Sequence, residues 1–142
     1  INMTLLVLIV MVFVIGLYFA FSPRECASFE CFQRNMISCK QARYINEETE
    51  ASWLYQIKGK DSGECAIEVT LLNAKEGELG LDSFEGNSMT CFYPEGVSAY
   101  PDNDLTLCNG LLKEDLQGVV IKNLHEFILE NLGEINTELE GI

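Results

Sequence analysis

The sequence predicts an α+β protein: a long apolar N-terminal helix that continues as an amphipathic helix, a small antiparallel sheet of three to four strands, and a C-terminal amphipathic helix. Three observations predict it. The segment Met3–Phe21 is interrupted only by Thr4 and Gly16 and carries no charge. Two runs, Trp53–Lys58 and Glu64–Asn73, alternate apolar with polar residues on either side of a glycine-bounded segment. Near the C-terminus, Leu112, Leu116, Val119, Leu124, Phe127 and Ile128 recur at helical spacing.

Taken in order, Met3–Phe21 makes a helix of roughly 28 Å, close to the hydrocarbon thickness of a bilayer. It has no polar face, so it is expected to sit in an all-apolar environment rather than in a soluble core. Residues 1–23 are therefore read as a transmembrane or helix-bundle segment, and residues 24–142 as one globular domain. Ser22-Pro23 closes or kinks this helix, because proline lacks the amide donor that a helix interior needs. From Arg24 to about Ser52 there is neither glycine nor proline, and Phe29, Phe32, Met36, Ile37, Ile45 and Ala51 fall mostly at helical spacing. That stretch is read as the helical continuation.

Trp53, Tyr55 and Ile57 then share one face of a strand, and Cys65, Ile67, Val69 and Leu71 share one face of the next. With Gly59–Gly63 between them, the two make a hairpin. Leu79 and Leu81 are read as a short third strand. Ser88–Tyr93 is a further strand with Met89, Cys91 and Tyr93 inward. Pro94–Asp104 is loop. The final helix runs from about Leu105 or Leu111 to Leu132, its apolar stripe covering the sheet, with Val120 and Leu132 in that stripe and Gly133 as its cap. Glu134, Glu138 and Glu140 fall in a polar tail.

The formal charge is −13. Arg24, Arg34, Lys40 and Arg43 outnumber Glu25 and Glu30 by two, so residues 46–142 carry the whole acidic excess. A surface of this sign argues against nucleic acid as a partner, whose phosphates need basic groups. All six cysteines lie beyond the apolar segment, and there is one histidine, His125. No CxxC pair occurs, so a disulfide framework outside the cytoplasm is expected rather than a zinc site. If Cys26, Cys31 and Cys39 share one helix, they are separated by about 7.5 Å and about 12 Å along its axis. A disulfide needs Cα atoms within about 7 Å. No two of the three should then pair with each other, and each should reach Cys65, Cys91 or Cys108. Cys26 points away from the other two around the helix, which makes it the candidate for an intersubunit bond.

Catalytic, cofactor-binding and metal residues are not identified. His125 has no histidine partner, and no GxSxG, HExxH or phosphate-cradling glycine loop occurs. Asp102, Asn103 and Asp104 lack the remainder of a calcium loop, and Asp104 or Asn109 is read instead as a helix N-cap. Trp53, Tyr55, Phe92, Tyr93 and Tyr100 are read as sheet core, the other reading being an aromatic adhesion patch.

The terminal apolar run Ile1–Phe21, Pro23 near its end, the amphipathic continuation through Ser52 and the hairpins beyond resemble a mature type IV pilin, or an archaeal relative. Position 5 is Leu5, where bacterial pilins usually carry a glutamate, which favours the archaeal branch of the resemblance. Phe29–Cys39, Cys65–Leu72, Met89–Pro94 and Cys108–Leu116 are also similar to membrane-anchored, cysteine-containing proteins of small-genome archaea. The resemblance implies cleavage of a basic leader before the apolar segment. Such a leader would reconcile the basic residues 24–43 with a location outside the cytoplasm.

The resemblance further implies a structural subunit of an extracellular pilus-like filament, membrane-inserted before assembly, with surface attachment as its role. Identical subunits would bundle Leu5, Leu6, Leu8, Ile9, Val12, Phe13, Gly16, Leu17 and Phe19 in a filament core, with Gly16 permitting close approach. No cofactor and no enzymatic activity are implied. The alternative is a monomeric, single-pass membrane-anchored ectodomain that binds a ligand or partner.

Overall fold

Alternation of apolar and polar residues builds a sheet larger than its most legible strands suggest. The computed structural model describes residues 3–75, 77, 80–101 and 103–139, the last seven as backbone. Helix α1 (Met3–Phe21) leads to strand β1 (Arg24–Glu25), helix α2 (Phe29–Ile37), strands β2 (Ala42–Glu47), β3 (Ala51–Asp61), β4 (Glu64–Ala74), β5 (Ser88–Pro94) and β6 (Cys108–Asn109), and helix α3 (Leu111–Leu139). The six strands lie side by side in chain order. All neighbours are antiparallel except β1 and β2, which run parallel across α2.

The hairpin is the centre of the fold. Trp53, Tyr55 and Ile57 face inward with Cys65, Ile67, Val69 and Leu71, and all are nearly or wholly buried. Its strands extend further than their alternation predicts. Asp61 pairs with Glu64, which leaves only Ser62 and Gly63 in the turn. Both have positive φ, 51° and 87°, the geometry whose twist matches that of the flanking strands. Met89, Cys91 and Tyr93 complete the inner face on β5 as expected. The outer face is half-exposed and carries the Lys58–Glu68 ion pair at 3.3 Å.

Several expectations are corrected. The helix read through Arg24–Ser52 is instead a two-residue strand, a short helix and a six-residue strand. Helix α2 begins at an N-cap, Ser28, whose side chain accepts from the Cys31 amide at 3.3 Å. It ends where Cys39 turns into the left-handed region at φ 48°. Pro23 therefore follows the end of α1 rather than kinking a continuous helix. Six strands replace three to four, because β1 and β6 are two residues each and show no alternation. Leu81 opens a 3-10 turn, Leu81–Phe84, rather than a strand; Leu79 lies outside the described residues.

Helix α2 covers the inner face with Phe32 and Met36, both fully buried. Phe32 touches Tyr44 and Tyr55, and Phe29 stacks on Tyr100 with ring centroids 3.8 Å apart. Among the described residues, only the start of α3 joins this core. Leu112 is buried, and Leu116 and Val119 are partly so. Beyond them Val120, Leu124, Phe127, Ile128 and Leu132 are exposed, so the stripe does not cover the sheet along its length. The helix also runs through Gly133 to Leu139, so Gly133 is not its cap.

Candidate functional site

Helix α1 packs none of its side chains into the domain. None of its 19 residues is buried. Leu5, Leu6, Leu8, Ile9, Val12, Phe13, Leu17 and Phe19 are exposed at 42–74%, and nothing approaches within 4 Å of a Cβ built on Gly16. Helix packing within the chain thus explains none of this apolar surface. The end of α1 is well defined. The Ser22 hydroxyl donates to the Tyr18 carbonyl at 2.7 Å, Pro23 bars a further turn, and β1 begins at once. The Cys26 amide donates to the Arg43 carbonyl at 2.9 Å. An exposed Arg43–Glu25 ion pair, also 2.9 Å, ties the same edge.

The six cysteines form three disulfides, Cys26–Cys31, Cys39–Cys65 and Cys91–Cys108. The rule that no two of Cys26, Cys31 and Cys39 pair is overturned. Cys26 precedes the helix, and the chain turns through Ala27-Ser28 before α2 starts, which brings the Cys26 and Cys31 Cα atoms to 5.5 Å. Cys26 is accordingly bonded within the chain and is not left for an intersubunit bond. The expectation that a cysteine of the helical region reaches the sheet holds for Cys39, whose Cα lies 5.6 Å from that of Cys65. Cys91 and Cys108 face each other on adjacent strands. The signal that would have separated Cys26 from the helix is Ser28, a strong N-cap residue just ahead of an apolar, helically spaced run.

Chemistry-bearing groups are scattered. His125 is on the exposed part of α3, away from the core. Among the described residues no three His, Cys, Asp or Glu side chains gather as a metal site. Asp104 caps the 3-10 turn Leu105–Leu107, accepting from the Thr106 amide and hydroxyl. Those two hydrogen bonds hold its carboxyl below the ordinary value. Asp102 lies outside the described residues, and Asn109 is a strand residue in β6. A cleft of about 270 Å³ at the β1–β2 edge is lined by Glu25, Cys26, Ala27, Arg43, Tyr44 and Ile45. Its two charged groups are those already paired with each other.

The aromatic residues divide. Trp53, Tyr55 and Tyr93 are core, Phe92 is half-buried on the outer face, and Tyr100 is 41% exposed while stacked on Phe29. They do not form one exposed patch. Compared with known protein families, curated proteins and solved structures, the chain matches none.

Proposed function

We propose that the chain is a single-pass membrane protein whose disulfide-stapled domain, outside the cytoplasm, acts as a non-catalytic partner-binding module. The observation that carries this reading is α1: 19 residues, apolar on every side, with none buried. Water is a poor surrounding for such a helix, and a bilayer core of about 30 Å suits its length. The disulfides suit an oxidising compartment. The acidic, charge-rich remainder suits water. Full-length protein should stay with membranes through alkaline carbonate washing, and its domain should be digested by protease added from the extracytoplasmic side. Release by carbonate, or protection from that protease, overturns the reading.

A second reading, the subunit of a type IV pilin-like filament, is favoured by two observations. Gly16 leaves a stretch of α1 backbone open to close approach by another helix. Only Ser22 and Pro23 separate α1 from the first strand, which couples helix and domain closely. The helical continuation into the domain that a pilin shaft would use is lacking, since β1 follows instead. Electron microscopy of surface material sheared off without detergent separates the two. Filaments that vanish in Gly16→Leu support the pilin reading, and monodisperse particles the tethered module.

A further inference from the structure

The three disulfides differ in what they tie together and in how far they are shielded. Cys39–Cys65 and Cys91–Cys108 join positions 26 and 17 residues apart, and all four of these cysteines are buried. Cys26–Cys31 spans a separation of five. Cys31, in the first turn of α2, is half-buried and is the most open of the six cysteines. A loop this short constrains the unfolded chain least, so opening it takes least from the stability of the fold.

One side chain attends both sulfurs of this bond. Asn35, a turn further along α2, donates from Nδ2 to the Cys31 carbonyl at 2.8 Å. The same nitrogen lies 3.7 Å from Cys26 Sγ and 3.8 Å from Cys31 Sγ. It carries two hydrogens, so one remains for sulfur while the other holds the carbonyl. A sulfur that gains negative charge as the bond opens therefore finds a donor in place, and hydrogen bonds to a charged acceptor are the stronger ones. The sulfurs of Cys91 and Cys108 instead face the Pro101 carbonyl oxygen, at 3.8 Å and 3.7 Å, which would repel a thiolate.

We infer that Cys26–Cys31 is an exchange site for a dithiol reductant, and that opening it releases β1, and with it the exit of α1, while the core stays closed. A thiolate of the dithiol attacks Cys31 Sγ, on the more open cysteine. An S–S bond to the reductant forms as the Cys26–Cys31 bond breaks, and Cys26 leaves with the electron pair beside Asn35 and takes a proton. The second thiol of the reductant, deprotonated, then attacks the reductant sulfur of this mixed disulfide. It expels Cys31, which takes the other proton. Two electrons pass to the protein, and the dithiol ends as a disulfide.

What the bond holds decides the consequence. Cys26 follows β1 directly, and only Ser22 and Pro23 separate β1 from α1. With the bond open, a two-residue strand and the exposed Arg43–Glu25 ion pair are left to hold that edge, and an exposed pair adds little. Helix α2 keeps its place, because Phe32 and Met36 are buried and Cys39–Cys65 fastens its far end. The inference rests on the extracytoplasmic placement proposed above only for where the reductant is met.

The test titrates full-length protein in mild detergent with dithiothreitol, quenches by alkylation and maps the cysteines by mass spectrometry. Cys26 and Cys31 should be alkylated while the other two disulfides persist. Hydrogen exchange should then quicken at amides 24–26 and stay unchanged in β3 and β4. Cys26→Ser/Cys31→Ser should show the same fast exchange without reductant. Asn35→Ala, with its helix content checked by circular dichroism, should be reduced about five-fold more slowly, as for the loss of one modest hydrogen bond. Reduction of all three bonds in one step overturns the inference, as does earlier loss of Cys39–Cys65 or Cys91–Cys108. An opened bond with amides 24–26 still protected overturns the release of β1, and Asn35→Ala reduced as fast as wild type overturns the donor role of Asn35. None of these outcomes depends on whether α1 spans a bilayer, which carbonate washing decides separately.

Discussion

Cys39 fills two roles that usually fall to different residues. It is the left-handed residue that ends α2: its amide donates to the Met36 carbonyl at 3.0 Å and the Lys40 amide donates to Asn35 at 2.9 Å. This pairing is the Schellman motif, whose left-handed position normally goes to glycine. It is also the sulfur that ties α2 to β4 through Cys65. The left-handed backbone costs a non-glycine residue about 1–2 kcal/mol. In a Cys65→Ala background, where the disulfide is already gone, Cys39→Gly should therefore be more stable than Cys39→Ala by about 1 kcal/mol, read from urea unfolding. Equal midpoints would show that the turn does not depend on φ at this position. Asp104 gives a second residue-scale expectation. Its pKa is lowered in the folded chain by the Thr106 hydroxyl and amide. The cap is then complete above the ordinary carboxylate range and is lost as pH falls through the lowered pKa. A carboxyl-carbon NMR titration should place Asp104 below the ordinary aspartate value. Protection of the Thr106 amide, taken relative to its intrinsic exchange rate at each pH, should fall at acid pH in wild type but not in Asp104→Asn, whose amide oxygen still accepts.

At the scale of elements, what could be read in the sequence follows from how many residues carry each signal. The β3–β4 hairpin was legible because two runs of alternation agree across it, and β5 because Met89, Cys91 and Tyr93 repeat the pattern. The stretch from Arg24 to Ser52 misled because the usual stop signal, glycine, is replaced by Cys39. Tyr44 and Ile45 also suit a strand as well as a helix, and pairing of β2 with β3 decided between them. Strands β1 and β6 hold two residues each, so only tertiary pairing defines them. The apolar character of α3 was legible, but not which part of it meets the sheet, since counting apolar positions does not say where the helix leaves the core. Two glycines near the start of α3 test this account of its docking. Gly110 has φ 130°, and a Cβ there would stand 3.0 Å from both Met89 Cα and the Ser88 carbonyl. Gly110→Ala should cost about 1–3 kcal/mol through backbone strain alone. Gly118 has open space where its Cβ would go, so Gly118→Ala should stabilise the helix by up to about 1 kcal/mol. Opposite signs in paired urea titrations are expected; a harmless Gly110→Ala would mean that β6 and α3 are not held against β5.

For the whole molecule, the division at Pro23 is the decisive boundary. Every charged residue lies after it, all three disulfides lie after it, and no side chain of α1 is buried. The domain core from Cys26 to Leu112 closes on itself, with α2 and the first turns of α3 over the inner face of the sheet. The hydrophobic term that stabilises this core scales with area removed from water, and α1 contributes nothing to that area. Residues 24–142 alone should therefore fold under oxidising conditions as a soluble protein. Their unfolding free energy should match that of the full chain in mild detergent within about 0.5 kcal/mol, the spread expected for a change outside the packed structure. Strand β1 sets the limit of the cut. The Arg24 and Cys26 amides donate to Gln41 and Arg43, so a chain starting at Ala27 would lose that edge and the Cys26–Cys31 bond together and should unfold at lower urea. If the chain starting at Arg24 instead fails to fold while the full chain folds, α1 supplies contacts to the domain, and the two-part organisation on which the anchored reading stands would have to be given up.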